Sequence, residues 1–249
     1  MVRAAEVIGV GFDRYDWRAR LVPGIAAVLP AVTVVVSIGV ETHVVTSLAS
    51  SAVLLAVGGF LLAIAVGDAG RSCEPALWAS WGGRPTTQLL RLRDQAPNAA
   101  QREGWRAAVS KVTGIDLFSS RRESLNPSDA DEVIETATDQ LRYLSRAGEN
   151  SALADANAEY GAQRNIWGAR RFGRGIAVVS LVALWVTALF GQEVLPISAV
   201  ALVGGNIAIV VVGLWWFIFP SADRVRSAGF RYAYQLFDAT VRASKSSKS

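Results

Sequence analysis

The sequence predicts an all-α integral membrane protein, and the prediction rests on hydropathy and on the placement of charge. Four apolar stretches contain no Asp, Glu, Lys, Arg or His: residues 21–40, 48–66, 176–190 and 199–219. A helix needs about 20 apolar residues to cross the hydrocarbon core of a bilayer. The third stretch is shorter, but Arg174 can reach back to the headgroups and lengthen it. We therefore expect four transmembrane helices arranged as two hairpins.

The basic residues indicate how these helices are oriented. The connections 41–47 and 191–198 contain no Lys or Arg, so all 25 basic residues lie in the two terminal segments and in the middle. Segments rich in Lys and Arg stay in the cytoplasm, because cationic side chains are costly to translocate. Both termini and the middle segment are therefore expected on the cytoplasmic side of the membrane. The predicted division has five parts. They are a cytosolic N-terminal segment (1–20), a first transmembrane hairpin (21–66), a cytosolic helical sensor domain (67–174), a second transmembrane hairpin (175–219), and a C-terminal amphipathic helix with a basic tail (220–249).

The middle segment is predicted to be helical. Proline, asparagine and glycine positions predict helices over about 85–94, 99–113 and 128–144, the last with Ser128 as its N-cap. The carboxylates of that last helix are interpreted as a solvated face. A fourth helix over about 152–169 is expected to continue into the third span. The apolar stripe of the 128–144 helix comprises Val133, Ile134, Ala137, Leu141 and Leu144.

A fifth polar helix is predicted over about 221–244, after the last span. Val225, Tyr232, Leu236 and Val241 share one face of it. Such a stripe packs against the middle domain or another subunit, or lies on the membrane surface. These three alternatives are open at the level of the sequence.

No catalytic constellation is visible in the sequence. The single histidine, His43, lies in a short connection with no other His or Cys near it. The single cysteine, Cys73, has no histidine on its predicted side of the membrane that could act as a base. Glycine-rich phosphate loops of the Walker type are absent. We therefore expect no enzymatic activity, no catalytic or metal-binding residues and no cofactor.

One candidate ligand-binding cluster begins at the first predicted polar helix. Trp81 and Arg84 flank a pair of glycines there, and Arg91 and Arg93 follow. Arginines bind phosphate groups bidentately, and indole rings stack on nucleobases. The alternative is that the tryptophan anchors the membrane interface and the glycines form a turn.

A second candidate is the pair Arg121 and Arg122. It ends a stretch, from Arg84 onward, in which basic residues outnumber acidic ones. Such a local excess inside a nearly neutral segment is able to bind a polyanion. The alternative is an ordinary hydrated surface.

Two further groups concern the membrane helices. Arg164, Trp167, Arg170 and Arg171 lead into the third span and are the candidate gating link between the polar domain and the membrane. The alternative for them is a plain basic flank with an interfacial tryptophan. Asn206 is the most polar side chain in any predicted span. It is expected either to hydrogen-bond another helix or to line a pore.

Three short motifs carry a resemblance to known proteins. They are residues 81–86 (WGGRPT), 126–131 (NPSDAD) and 159–168 (EYGAQRNIWG). These segments resemble those of a bacterial membrane family, and the layout is similar to membrane effectors of anti-phage defence systems, the Hailong channel effector in particular. Those systems pair such an effector with a nucleotidyltransferase and respond to a nucleotide or oligonucleotide. The resemblance implies a homo-oligomeric channel with a nucleotide or single-stranded DNA ligand, held by Arg84, Arg91, Arg93, Arg121 and Arg122 with Trp81 as a stacking platform.

Two functions follow as hypotheses. The first is an oligomeric ion channel in the lipid bilayer, gated by a nucleotide or oligonucleotide on its cytosolic domain and acting in antiviral defence by depolarising the membrane. The second is a non-conducting membrane scaffold whose cytosolic domain docks a partner protein. The absence of charge from the spans motivates the second.

Overall fold

The computed structural model describes residues 14–42, 52–94, 98–145, 151–191, 193, 195 and 197–246. Every regular element in these ranges is helical, as the sequence predicts. Residues 43–47 of the first predicted connection, His43 among them, and residues 1–13 of the N-terminal segment lie outside the described residues. A one-turn helix, Arg14–Asp16, and a π-helical stretch, Trp17–Leu21, come first. The remaining helices are α1 Val22–Thr42, α2 Ala52–Trp81, α3 Pro85–Leu90, α4 Ala99–Thr113, α5 Ser120–Leu125, α6 Pro127–Ser145, α7 Ser151–Phe190, α8 Ala199–Ile218 and α9 Ala222–Ser246.

Three of the described helices are long and apolar enough to cross a membrane. They are Trp17–Ile38, Ser151–Phe190 and Ala199–Ile218. The predicted span 48–66 begins outside the described residues, and its remainder forms the first half of α2. A membrane protein is therefore supported, while the arrangement of four spans in two hairpins stays a prediction.

The chain divides into two compact units. Unit 1 comprises the described parts of Met1–Cys73 and Gly161–Ser221, and unit 2 comprises those of Glu74–Tyr160 and Ala222–Ser249. Both α2 and α7 contribute residues to each unit, because each helix continues across a boundary.

Unit 1 is held together by an apolar core and by close approaches of helix backbones. Trp216 is fully buried and packs with Ala27, Val66, Ile166 and Ala169. A second core cluster, farther along α7 and α8, contains Leu184, Ile197 and Ile209. Glycines allow the tightest contacts, because a side chain would collide with the neighbouring helix.

The crossing of α2 and α7 is the closest of these approaches. A methyl group added at Gly168 would lie 2.6 Å from the amide nitrogen of Gly70. Asn165 fills the space beside Gly70 and is completely buried. Its Nδ2 donates to the carbonyl of Ala19 at 2.6 Å, inside the π-helical stretch. A buried amide of this kind is satisfied by the backbone rather than by water.

Unit 2 has a core formed by α9 against α3 and α4. Tyr232, Leu236 and Phe237 of α9 are buried, and Trp105 of α4 lies 5.5 Å from Phe237 between ring centroids. The indole Nε1 of Trp105 donates to Asp238 Oδ1 at 2.8 Å. In the predicted stripe of the C-terminal helix, Val225, Tyr232 and Leu236 are buried and Val241 is half-buried. Packing against the middle segment is the alternative that the structure shows.

Some of the predicted helix ends and buried residues of unit 2 are confirmed, and others are wrong. The helix over 99–113 has the predicted bounds, with Gly114 as its left-handed C-cap at φ 71°. Ser128 is not an N-cap, because the helix begins at Pro127, a residue well suited to the first helical position. The helix expected over 85–94 ends at Leu90, and α5 was not predicted. In the stripe of α6, Ile134, Ala137 and Leu141 are buried, whereas Val133 is half-buried and Leu144 is exposed.

Candidate functional site

The turn between α2 and α3 positions the first candidate cluster. Gly82 has φ 81° and Gly83 has φ 131°, values that side-chain-bearing residues rarely adopt. The amide of Gly83 donates to the carbonyl of Trp78 at 2.8 Å, which closes the turn. Pro85 then starts α3, and Arg84 precedes it in an extended conformation.

Arg84 emerges from this turn and is bound on both sides. Its guanidinium carbon lies 4.6 Å from the ring centroid of Trp78. Its terminal nitrogens form ion pairs with Glu135 at 3.4 Å and Asp139 at 3.2 Å, both on α6. The charge of Arg84 is therefore compensated within unit 2. Trp81 itself is half-buried, and its carbonyl accepts a hydrogen bond from Gln88.

Asp131 is the shared partner of the next two arginines. Arg91 donates to it from Nε at 2.8 Å and from Nη2 at 2.6 Å, the bidentate geometry of strong carboxylate pairs. Arg93 donates from Nη2 to both carboxylate oxygens, at 2.8 and 2.7 Å. Burial by itself raises the pKa of Asp131, but the hydrogen bonds from Arg91 and Arg93 outweigh it and hold the pKa below its ordinary value. Burial likewise lowers the pKa of Arg91, and Asp131 more than restores it.

Glu123 on α5 is the most buried carboxylate near this cluster. Its side chain is 1% exposed, and Oε1 accepts from the amides of Leu92 and Arg93 at 2.8 and 3.1 Å. Its Oε2 lies 3.9 Å from Arg106 and has no hydrogen-bond partner among the described residues. Burial lowers the pKa of Arg106, and the charge of Glu123 offsets part of that effect.

The segment after α3 is wrapped by arginines from α4. Arg102 donates from Nη1 to the carbonyls of Arg91 and Asp94, each at 2.6 Å. Arg106 donates to the carbonyls of Leu90 at 2.5 Å and of Phe118. The bonds to Leu90, Arg91 and Asp94 satisfy carbonyls that lack a helical partner where α3 ends.

The acidic face of α6 is the partner of the basic clusters. Asp131, Glu135 and Asp139 recur at intervals of four residues and so lie on one face of the helix. Each is bound by an arginine from residues 84–93. Asp139 is exposed, as the interpretation of a solvated face predicts, whereas Asp131 is partly buried between two arginines.

Stability at low pH should depend on Asp131. Because its pKa is lowered in the folded protein, the ion pairs contribute fully above the ordinary value of about 4 and are lost as the pH falls through it toward the folded value. We expect Asp131→Asn to cost about 2 kcal/mol at pH 7 and to weaken the loss of stability below pH 4. Thermal unfolding of the detergent-solubilised protein between pH 3 and 7 measures this. Asp129→Asn, an exposed residue on the same helix, is the control. Parallel pH profiles for the wild type and Asp131→Asn would refute the assignment.

Arg121 and Arg122 differ from the other candidates. Both are exposed at the start of α5, and neither forms an ion pair with any residue that the structure describes. The guanidinium carbon of Arg122 lies 3.8 Å from the ring centroid of Phe118. Of the five arginines predicted to bind phosphate, these two retain uncompensated charge, whereas Arg84, Arg91 and Arg93 are bound to carboxylates.

The gating-link residues lie on α7, in unit 1. The guanidinium carbon of Arg170 stacks 3.6 Å from the ring centroid of Trp167, and Arg171 is exposed. Arg164 donates from Nε to Asn165 Oδ1 at 3.3 Å. Sequence reasoning missed the role of Asn165, whose burial depends on a neighbour almost a hundred residues away.

Asn206 has a defined packing role in unit 1. Its Oδ1 accepts from Trp185 Nε1 of α7 at 2.9 Å, and its Nδ2 donates to the carbonyl of Leu202 at 2.8 Å. A bond to a neighbouring helix is the first of the two alternatives that the sequence left open.

Among the described residues, no group of three or more His, Cys, Asp or Glu side chains is arranged to hold a metal ion. Comparison with known proteins adds no further assignment: no family model, no curated protein and no solved structure matches this chain. The resemblance to a defence effector thus remains a prediction from the three motifs.

Proposed function

We propose that this protein is an oligomeric membrane effector. Its polar unit binds a nucleotide or oligonucleotide, and its membrane helices pass ions when this ligand binds or dissociates. The exposed pair Arg121 and Arg122 carries the proposal. The arginines of residues 84–93 are neutralised by carboxylates, so these two are the cations of the candidate clusters that can accept phosphate without breaking an ion pair.

The local chemistry suits a phosphorylated ligand. Two adjacent guanidinium groups offer several N–H donors to phosphate oxygens, in the geometry that makes arginine effective in this role. Phe118 beside Arg122 adds an aromatic surface, and aromatic rings contribute to binding of single-stranded nucleic acids by stacking. Trp81 is a less favourable platform, because it is half-buried next to the turn.

Chain continuity supports a link from ligand to membrane. α7 runs without interruption from Ser151 to Phe190 and supplies residues to both units. In the proposal, ligand binding changes how α7 packs in unit 1. The segment that transmits this change contains Arg164, Trp167, Arg170 and Arg171. Several copies would be needed to enclose a pore, in a bacterial inner membrane that depolarises when it opens.

A non-conducting scaffold is the second candidate, and Asn206 favours it. Both polar ends of this side chain are engaged by Trp185 and Leu202. Thr33 donates to the carbonyl of Leu29 in its own helix. These polar groups of the span helices are therefore engaged by unit 1 itself, which suits helices that only anchor a docking domain.

Conductance separates the two candidates. The purified full chain is reconstituted into planar bilayers and tested with mononucleotides and with short single-stranded DNA. A channel should pass current in one ligand state and arrest growth when overexpressed, with collapse of the membrane potential. An oligomer that passes no current with any of these ligands, and whose expression is harmless, would exclude the channel and favour the non-conducting scaffold.

Replacing Arg121 and Arg122 by alanine should weaken ligand binding about tenfold or more. Two lost phosphate contacts should also reduce the slope of log affinity against log salt by about 1.4, because fewer counterions are released. Binding of fluorescent single-stranded DNA across a salt series measures both quantities. The double variant Arg242→Ala, Lys245→Ala is the matched control, since it removes two exposed charges from α9 of the same unit. Equal losses in both double variants would exclude a specific phosphate site at Arg121 and Arg122.

A further inference from the structure

We propose that the cationic face of α7 (Trp167, Arg170, Arg171 and Arg174) binds the phosphate of an anionic phospholipid. This site lies within unit 1 and shares Trp167, Arg170 and Arg171 with the proposed gating link. It uses none of the residues of the ligand site and does not depend on ligand binding or conductance. Four features of α7 favour this site: the spacing of these residues, their charge, the way two of the guanidinium groups are held, and the apolar surface that continues the face.

The four residues share one side of the helix. Their positions follow the spacing i, i+3, i+4 and i+7, which places side chains along one face of an α-helix. Arg171 and Arg174 are close enough to Arg170 for their like charges to repel it. Three cations are thus concentrated within little more than one helical turn.

No described carboxylate compensates this charge. In unit 1, Asp16 pairs with Arg20 at 2.8 Å and Asp68 pairs with Arg71. Residues 160–192 contain no Asp or Glu. Among the residues that the structure describes, Arg170, Arg171 and Arg174 form no ion pair. An anion bound at this face would relieve their mutual repulsion.

Two of the guanidinium groups are held in place with donors to spare. Arg170 stacks on Trp167 and uses Nη1 for the carbonyl of that residue. Arg174 donates from Nε to Trp216 O at 3.1 Å and from Nη2 to Phe217 O at 3.4 Å, at the C-terminal end of α8. Each guanidinium has five N–H donors, so most remain for a phosphate. A preorganised side chain loses less conformational entropy on binding.

The apolar surface next to this face favours a lipid over a free phosphate. Val178 and Val182 continue the line of Arg171 and Arg174 at intervals of four residues, and their exposed fractions are 55% and 57%. A headgroup on the arginines would place an acyl chain along these valines, in the charge-free segment 176–190. A soluble phosphate would gain nothing from that part of the surface.

The test is thermal unfolding of the detergent-solubilised full chain with added lipid. Phosphatidylglycerol should raise the melting temperature by roughly 5 °C at concentrations well above the dissociation constant. Phosphatidylcholine, which has no net charge, and inorganic phosphate should each give a much smaller shift. Inorganic phosphate acting as strongly as phosphatidylglycerol would assign the site to a free phosphate and overturn the lipid.

The variant Arg170→Gln, Arg171→Gln should lose the phosphatidylglycerol shift. Arg174 is left intact because it satisfies the end of α8. The control Arg242→Gln, Lys245→Gln removes two exposed charges from unit 2, outside both proposed sites, and should keep the shift. The variant Arg170→Lys, Arg171→Lys keeps the charge and should retain at least half of it, which guards against a folding defect. Lipid that stabilises the glutamine variant as strongly as the wild type would refute the site. The readout involves neither nucleotide nor conductance, so its failure is distinct from failure of the channel proposal.

Discussion

Replacing Gly168 by alanine is expected to destabilise unit 1 by about 2 kcal/mol, because α7 and α2 touch backbone to backbone at this residue. The added methyl group would lie 2.6 Å from the amide nitrogen of Gly70, and its other near neighbours are backbone atoms of Ala69. Backbone atoms cannot rotate aside as a side chain does, so the helices must separate. Overpacking typically costs about 1–3 kcal/mol, and the gain in helix propensity from glycine to alanine, about 1 kcal/mol, offsets only part of it.

The matched control for this prediction is Gly175→Ala. Gly175 lies on the same helix, and a methyl group there would meet nothing within 4 Å. The control should be neutral or slightly stabilising, by up to about 1 kcal/mol. Apparent melting temperatures in detergent, followed by tryptophan fluorescence, compare the two variants. Equal melting temperatures would show that α2 and α7 are not in contact at Gly168.

The sequence could not reveal this crossing, because the predicted second span ends at residue 66 and no helix is predicted over the part of α2 that contains Ala69 and Gly70. Hydropathy identifies α7 as apolar after residue 175, and the segment before it is predicted to be helical, as a gating link or a basic flank with an interfacial tryptophan. Asn165 and Gly168 have their roles through Gly70 and Ala19, which are close only after folding. Long-range pairing of small residues leaves no periodic signal at either site.

Predictions based on local signals were more successful. Gly114 ends α4 where the sequence placed it, because a left-handed C-cap is decided by the residue itself. The stripe of α9 was found because one helix contains the whole pattern. The predicted N-cap at Ser128 is wrong because Pro127 takes the first helical position, which leaves Ser128 inside the first turn.

The candidate site shows the same division. Counting basic residues correctly identified a concentration of arginines, but it could not show which of them meet a carboxylate. Arg91 and Asp131 are 40 residues apart in the chain, and their pairing depends on how α6 packs against α3. The signal for these ion pairs in the sequence is the regular spacing of Asp131, Glu135 and Asp139. Carboxylates four residues apart lie on one face of a helix, where they can pair with basic residues of a neighbouring segment. Arg121 and Arg122 stand out once those pairs are accounted for.

Replacing Glu123 by alanine is expected to destabilise unit 2 by about 3–5 kcal/mol, the cost of removing one partner from a buried ionic group. Its Oε1 accepts hydrogen bonds from two backbone amides, those of Leu92 and Arg93. Those amides would lose their acceptor, and Arg106 would lose its nearest described carboxylate. The extended segment after Leu90 should then become the first part of unit 2 to exchange its amide hydrogens.

Glu123→Gln distinguishes the charge from the hydrogen bonds. Its amide oxygen can still accept from Leu92 and Arg93, so this variant should lose less stability than Glu123→Ala. Glu132→Ala, at an exposed position on α6, is the control and should change stability by less than about 0.5 kcal/mol. Hydrogen exchange followed by mass spectrometry measures the local effect, and thermal unfolding measures the global one. The prediction is wrong if Glu123→Ala and Glu132→Ala have the same melting temperature and the amides of residues 91–94 stay protected from exchange. The segment would then be held by Arg102 and Arg106 alone, through the backbone carbonyls they bind.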